Sequence, residues 1–266
     1  MGRANPQLIA LVGRLIARGP TDRPPLIAVV GAQGSGKTTL ARAAADAFGA
    51  AQISIDDVYR TRAEREAMAK EVHPLFVTRG PPGTHDLILL QQLIDALSSA
   101  ESDDETLIPD FDKRGDDRRP AERWRRVTGR PAAILIDAWC LGATAEDAAA
   151  LVEPVNTLER DGDPDGLWRA AVNGFVGGPY RDFVDGFDAV LFLKAPSFDV
   201  VIDWRCEQEA ALLGVHPSRL PDGERERLGG FIRHFERVTR HMLSGGVRAE
   251  VTVPLDPGRR PGSIEA

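Results

Sequence analysis

One octapeptide constrains this chain more than any other segment. Between Gly31 and Thr38 it reads Gly-Ala-Gln-Gly-Ser-Gly-Lys-Thr, with an apolar run over 26–30 before it and a helical pattern over 38–48 after it. The glycines allow a tight turn that directs backbone N–H groups inward, because no Cβ atom obstructs them. The following helix would point the positive end of its dipole at the same place. The segment therefore predicts an α/β fold with an anion site at this turn.

The octapeptide also matches the pattern G-x-x-x-x-G-K-[ST] of phosphate-binding loops, or P-loops. We predict that the loop binds ATP through Gly31, Gln33, Gly34, Ser35, Gly36, Lys37, Thr38 and Thr39. Lys37 would reach the β- and γ-phosphates and act in catalysis, and the Thr38 hydroxyl would bind Mg²⁺. The alternative is a glycine-rich turn that contains a lysine by chance.

Further apolar runs occur over 52–55, 132–136, 189–193 and 249–253, with helical patterns between them. Runs that are apolar on both faces predict a mostly parallel sheet covered by helices on both sides. We expect residues 1–266 to form a single domain with the three-layer α/β P-loop NTPase fold. An N-terminal helix would lie within 1–20, a helical lid and the C-terminal helices within 195–245, and a loose tail within 256–266.

Composition limits the classes of partner. A formal net charge of -7 argues against a general nucleic-acid binder, which usually carries a basic face. No apolar stretch is long enough to cross a membrane, so we expect no membrane partner and infer no protein partner. The two cysteines, Cys140 and Cys206, do not indicate a disulfide framework, which favours the cytoplasm.

Acidic residues lie at the ends of two predicted strands, where ligands bind in open parallel sheets. Asp137 follows one run directly and would be the second Mg²⁺ ligand, although an aspartate that only ends a strand is the alternative. Asp56 and Asp57 end another run. One of the two would accept the proton of an acceptor hydroxyl, unless it caps the next helix near Thr61.

Two loops carry candidates for binding that acceptor. The stiff Pro/Gly loop over 79–86 would hold Arg79, His85 and Asp86, although Asp86 could simply cap the following helix. The mixed-charge run over 109–119 contains Asp112 and Lys113. Such a run is usually a solvated face, but a cationic loop beside the phosphates would suit an anionic acceptor such as a carboxylate.

A helical pattern over 198–213 is the predicted lid. Lids that close over phosphates often contribute an arginine to the transferring group, and Arg205 is the candidate. An exposed helix arginine that pairs with Glu209 one turn later is the alternative.

Taken together, these motifs resemble the P-loop glycerate kinases of the D-glycerate 3-kinase type, which are related to uridine and pantothenate kinases. The resemblance is carried by residues 31–39, 54–61, 79–87, 111–113, 137–142, 168–173, 195–198 and 204–209. It implies ATP-dependent phosphorylation of D-glycerate to 3-phosphoglycerate, with Asp56 at the position of the base. The chain departs from the family pattern at Asp137-Ala138, where Glu-Gly is usual, at Val58, where an aromatic residue is usual, and in a shortened 112–118 stretch.

Two other functions agree with the same residues. The first is another small-molecule kinase of the uridine or pantothenate kinase type. The second is a regulatory P-loop ATPase that transfers phosphate to water. The guanine-reading motif Asn-Lys-x-Asp does not occur in the sequence, and the cationic loops favour a small-molecule hydroxy acid as the partner.

Overall fold

The computed structural model describes residues 4–263 of the chain. The helices within that part are α1 (Pro6–Arg18), α2 (Lys37–Phe48), α3 (Arg62–Glu71), α4 (Leu87–Ser99), α5 (Thr157–Gly162), α6 (Leu167–Phe175), α7 (Arg181–Val184), α8 (Asp199–Leu213) and α9 (Glu224–Leu243). The strands are β1 (Leu26–Gly31), β2 (Ala51–Ser54), β3 (Glu105–Ile108), β4 (Phe111–Asp112), β5 (Asp117–Arg118), β6 (Arg125–Thr128), β7 (Ile134–Ala138), β8 (Ala189–Lys194) and β9 (Val251–Pro254).

The central sheet has the strand order β2-β7-β1-β8-β9, and every neighbouring pair is parallel. Strands β1, β2 and β7 are buried along their whole length. That burial explains why β1 and the first part of β7 read as continuous apolar runs, whereas β2 carries the buried polar residues Gln52 and Ser54 at alternate positions. All the predicted strands are present, and the predicted three-layer α/β fold is confirmed.

Helices cover both faces of this sheet. Along β1, Ile27 and Val29 pack into one cluster with α1, α2 and α8, whereas Ala28 and Val30 pack into a second cluster with α4, α6 and α9. Successive side chains of a strand point to opposite faces, so one apolar strand serves both clusters.

The N-terminal helix expected within 1–20 is α1. Asn5 caps it by accepting the N–H of Gln7 at 2.8 Å, and a proline occupies the first turn. Its apolar side packs on α2, where Gly13 lies against the ring of Phe48. Residues 1–3 and 264–266 of the predicted helix and tail lie outside the described residues.

Two small antiparallel pairs were not predicted. Strand β3 pairs with β6, and β4 pairs with β5. The charged run over 109–119 forms a short hairpin whose residues 113–115 are exposed, with Asp116 in the left-handed region at its turn (φ 57°). These strands carry polar residues on most positions and lie outside the central sheet, so apolar patterning did not reveal them.

The tail predicted to be loose is ordered through residue 263 and forms a turn packed on the P-loop. The Arg259 Nε donates a 2.6 Å hydrogen bond to the carbonyl oxygen of Gly34, and its guanidinium stacks on the ring of Trp204. The Trp204 indole N–H in turn donates to the carbonyl of Pro257 at 2.8 Å. Turn-rich composition predicted weak local order, and it could not reveal these distant contacts.

No helix within residues 4–263 has both the length and the apolar character needed to cross a membrane.

Candidate active site

The P-loop lies between β1 and α2 and forms an open cradle. Gly34 and Gly36 have φ values of 80° and 89°, in the left-handed region that favours glycine. A Cβ atom added to Gly36 would meet no atom within 4 Å, so the space beside this turn is free. Helix α2 begins at Lys37 and directs its N-terminus at the same space. This geometry suits the binding of a phosphate chain.

Gly34 is required for a second reason. A Cβ atom there would lie 2.5 Å from the Cβ of Trp204, because helix α8 packs directly on the loop. The predicted lid helix is thus already in contact with the P-loop at its Trp204 turn.

Polar groups in the loop are left without partners in the part of the chain that the structure describes. The Ser35 hydroxyl, on a residue 4% exposed, and the Gln33 side-chain oxygen are both buried and unbonded. Lys37 Nζ reaches only the carbonyl of Ala32, at 3.5 Å. Burial lowers the pKa of Lys37, and the negative charges of Asp137 and Asp56 oppose that effect. Buried polar atoms without hydrogen bonds and a buried ammonium group are typical of a site that binds a charged ligand.

Asp137 lies inside β7, one residue before its end, rather than after the strand as predicted. Its carboxylate accepts hydrogen bonds from the Thr38 hydroxyl at 2.7 Å, the Ser54 hydroxyl at 3.1 Å and the Gln52 amide at 2.5 Å. Burial raises the pKa of Asp137, and the nearby charge of Lys37 counteracts the rise. The two residues predicted to hold Mg²⁺ are therefore adjacent.

The donors at this point fit Mg²⁺. A hydroxyl and a carboxylate are hard oxygen ligands, and magnesium typically takes one or two protein ligands and completes its shell with phosphate oxygens and water. Among residues 4–263 no group of three or more His, Cys, Asp or Glu residues could hold a metal ion. The Thr38–Asp137 pair therefore suits a magnesium ion that arrives with ATP.

The two neighbouring acids Asp56 and Asp57 have different hydrogen-bond partners. Asp57 accepts the backbone N–H of Ser54 at 3.1 Å and forms a capping box with it around the short 3₁₀ turn Ile55–Val58. Burial raises the pKa of Asp57 to about 7. Asp57 thus has a local structural task, and Asp56 does not.

Asp56 instead faces Lys113 in the run over 109–119. Its carboxylate accepts from the Lys113 ammonium and from the Tyr59 hydroxyl, each at 2.6 Å. Burial alone would raise the pKa of Asp56, but the charge and hydrogen bond of Lys113 and the bond from Tyr59 hold that pKa well below its ordinary value. The positive charge of Lys37 in the P-loop also lowers the pKa of Asp56, so this carboxylate is within electrostatic range of both the P-loop and Lys113.

His85 is 1% exposed and lies next to Tyr59, whose hydroxyl donates to Asp56. Its ring stacks on Tyr59 with 4.8 Å between centroids, and its Nδ1 lies 2.6 Å from the Tyr180 hydroxyl oxygen. Burial lowers the pKa of His85 to about 4, so the ring is neutral at physiological pH. Arg79 lies in the same region, ion-paired with Asp116 and positioned over the ring of Phe111.

Two of the acids predicted to bind the acceptor make structural contacts. Asp86 caps α4 by accepting the Leu89 N–H at 3.0 Å, which was the alternative stated for it. Asp112 accepts the N–H groups of Arg114 and Gly115 in the β4–β5 turn. Both carboxylates shape the loops that carry the cationic residues.

Arg205 pairs with Glu209 at 3.4 Å and with Gln208 at 3.1 Å, both on its own helix. The alternative of a helical i,i+4 pair therefore describes its position in this structure. Its neighbour Trp204 packs on the P-loop, so Arg205 is carried on the helix that borders the phosphate cradle.

Several residues that contact the predicted site residues were not predicted from the sequence. Gln52 and Ser54 occupy alternate positions of an otherwise apolar strand, a signal that could have marked them as facing Asp137. Tyr180 and Arg259 had no such signal, because they are distant in sequence from the residues they contact.

Comparison with known proteins agrees with this geometry. No protein-family model matches the chain. It is 29% identical over 229 residues to the uncharacterized kinase mug58 of Schizosaccharomyces pombe, an alignment that spans 81% of this chain and 80% of that protein.

Solved structures show the same architecture. A D-glycerate 3-kinase from Cryptococcus neoformans superposes with a TM-score of 0.76 and 21% identity over 98% of both chains. The YGR205w protein superposes with a TM-score of 0.68 and 21% identity over 97% of this chain and 95% of that one. The resemblance found in the sequence is thereby confirmed at the level of fold, and the chain has the three-layer fold of the P-loop kinases.

Proposed function

We propose that this protein is an ATP- and Mg²⁺-dependent kinase that phosphorylates a small hydroxy acid, with D-glycerate converted to 3-phosphoglycerate as the leading candidate. The observation that carries the proposal is the pairing of Asp56 with Lys113 beside the P-loop. A carboxylate next to the phosphate cradle and an ammonium group from the facing loop supply what hydroxyl activation and carboxylate binding require. The kinase names of the similar proteins support the same class.

The positions of these residues support the following roles in catalysis. The P-loop amides and Lys37 would hold the phosphates, and Thr38 and Asp137 would hold Mg²⁺, which would supply positive charge against the negative charge of the phosphates. Asp56 removes the proton from the acceptor hydroxyl, whose oxygen then bonds to the γ-phosphorus while the bond to ADP breaks. Arg205 would turn from Glu209 toward the transferring group when nucleotide binds.

The acceptor site is formed by the facing loops. Lys113 contacts the Asp56 carboxylate, and Arg79 lies over the ring of Phe111 in the same hairpin. The neutral ring of His85 stacks on Tyr59, whose hydroxyl donates to Asp56. Asp86 and Asp112 hold these loops in place through their backbone contacts. Two cations favour an acceptor that carries a carboxylate over a neutral nucleoside, which is why we place hydroxy acids first.

We also propose a cellular compartment and a class of partner for the protein. The free cysteines Cys140 and Cys206 are both buried, which agrees with a reducing cytoplasm as the compartment that we propose. The partner is a small molecule, and the acidic net charge of -7 gives no reason to propose a nucleic acid.

The test is a panel of acceptors with ATP and Mg²⁺, followed by ³¹P NMR of the products. D-glycerate, uridine, pantothenate and several sugar acids would be compared, with water as the baseline. We expect a phosphomonoester from D-glycerate. Turnover only with uridine or pantothenate would identify a kinase of that type, and ADP with free phosphate alone would identify a regulatory ATPase. Lys37→Ala should abolish every activity, whereas Lys70→Ala, at an exposed position of α3, should retain it.

A further inference from the structure

We propose that Tyr180 is a positioning residue that fixes the tautomer of His85, so that Nε2 of the ring carries the proton and donates a hydrogen bond to an oxygen atom of the acceptor. This inference rests on the proposed function. It assigns a role to a residue that the chain places 95 positions away from the histidine.

The direction of each hydrogen bond follows from the chemistry of the donors. The backbone N–H of Gly83 lies 3.0 Å from the Tyr180 hydroxyl oxygen, and it can only donate. The same oxygen lies 2.6 Å from Nδ1 of His85. Within residues 4–263 these are the two hydrogen bonds of the Tyr180 hydroxyl, and the backbone N–H of His85, which can also only donate, points at the same oxygen. Two arrangements of the remaining protons are therefore open.

In the first arrangement the Tyr180 O–H donates to Nδ1, and the histidine proton is on Nε2. In the second, Nδ1–H donates to the Tyr180 oxygen, and the phenolic hydrogen then has no acceptor. Tyr180 is 3% exposed, so a phenolic hydrogen left without an acceptor would be costly. The first arrangement leaves one group unbonded, and the second leaves two. The buried ring also resists protonation, since burial lowers the pKa of His85 to about 4.

The single group left unbonded is the Nε2 atom of His85. It is buried and has no hydrogen-bond partner in the described part of the chain. Buried N–H donors are almost always satisfied, and an exception at a site is a reason to expect a ligand. The ring stacks on Tyr59, whose hydroxyl is bonded to Asp56, so this donor lies beside the proposed base.

The way in which Tyr180 is held supports a fixed role. It ends the π-helical turn Val176–Tyr180, which contains Pro179 and separates α6 from α7. Such one-turn π segments add a residue to a helix and frequently occur at functional sites. Here the turn places a phenol against the 83–85 loop, which comes from a different part of the chain.

A fixed Nε2–H has a consequence for specificity. A donor can bind a carboxylate or hydroxyl oxygen, and it cannot bind an ammonium group. Together with Lys113 and Arg79 it would select an acceptor that presents oxygen atoms. The inferred chemical class of the acceptor is therefore an oxygen-rich acid, and analogues with an amine at the same position should be rejected.

The primary test is Tyr180→Phe, which keeps the ring and removes the hydroxyl. ¹⁵N NMR of the ring nitrogens should show the Nε2–H tautomer in the natural protein and a mixture, or the Nδ1–H tautomer, in the variant. The KM for the acceptor should rise about tenfold, the usual worth of one hydrogen bond, while the KM for ATP stays unchanged. A natural protein with the Nδ1–H tautomer or an imidazolium ring would overturn the proposal. Unchanged tautomer and unchanged KM in the variant would overturn it as well.

A matched pair of variants tests the donor itself. The amide nitrogen of His85→Gln lies near the position of Nε2, whereas that of His85→Asn lies near the position of Nδ1. We expect the glutamine variant to retain more acceptor affinity than the asparagine variant, and the reverse order would contradict the proposal. The NMR measurement needs no substrate. If no acceptor in the panel is phosphorylated, the proposed function fails while the tautomer is still decided.

Discussion

The Lys113 ammonium lies 2.6 Å from one oxygen of the Asp56 carboxylate, and the Tyr59 hydroxyl donates to the other oxygen at the same distance. Both oxygens of the proposed base are thus occupied in the protein without ligand. A carboxylate held in this way has a low pKa and a weak tendency to take a proton. An acceptor carboxylate that draws Lys113 away would make Asp56 a stronger base at the moment of binding.

Replacement of Asp56 by Asn should lower turnover by about 10²–10⁴-fold, the usual contribution of a general base. ATP binding measured by calorimetry should be unchanged, because Asp56 contacts no P-loop atom through a hydrogen bond. Asp57→Asn is the matched control, since its amide oxygen can still cap the Ser54 N–H. Loss of turnover in Asp57→Asn alone would show that the adjacent acid is the base.

Replacement of Lys113 by Met should act on both the acceptor and the base. Without the ammonium group, the pKa of Asp56 rises toward its ordinary value. The acid limb of the kcat/KM profile should therefore move to higher pH, and the KM for the acceptor should rise about tenfold or more. Lys70→Met, at an exposed position of α3, should change neither quantity. An acid limb that stays in place would separate Asp56 from the pH dependence.

His85 should make the protein less stable in acid. The unfolded chain binds a proton below the ordinary pKa of 6.5, whereas the folded protein keeps this ring neutral down to about 4. The unfolded state thus holds more protons in that window, so stability falls as the pH drops through it, by about 3 kcal/mol in total.

The measurement is urea unfolding at several pH values for the natural protein and for His85→Gln. Asp57 acts in the opposite direction over part of the same range, because its pKa is raised to about 7. The difference between the two proteins isolates the histidine. Parallel stability curves for both proteins would show that His85 does not titrate as expected.

Arg259 should support nucleotide binding, although it lies in the turn after the last strand. Its hydrogen bond to the Gly34 carbonyl and its 2.7 Å ion pair with Glu207 join the P-loop to helix α8. Arg259→Met should weaken ATP binding about tenfold, measured by calorimetry, through a less ordered loop. Arg260→Met, at the exposed neighbouring position, is the control. Equal ATP affinity in both variants would assign Arg259 to surface packing alone.

Local sequence patterns were sufficient to predict the P-loop, the central sheet and the helix that follows the P-loop. The glycines of the P-loop, the apolar runs that became β1, β2, β7 and β8, and the helical spacing of α2 each express constraints that act within a few residues. The same patterns predicted that Asp56 and Asp137 would meet the P-loop, because the ends of parallel strands share one edge of a sheet. The contact of Asp137 with Thr38 agrees with that prediction.

Only the tertiary structure decided which residues from distant parts of the chain meet at the candidate site. The choice between Asp56 and Asp57 depends on Lys113, 57 residues away. The orientation of His85 depends on Tyr180. The order of the segment after residue 256, which was predicted to be loose, depends on a contact between Arg259 and Gly34, 225 residues apart. Periodicity and short motifs carry no information about such pairs, since each is formed only when the packed sheet and helices bring distant segments within hydrogen-bonding distance.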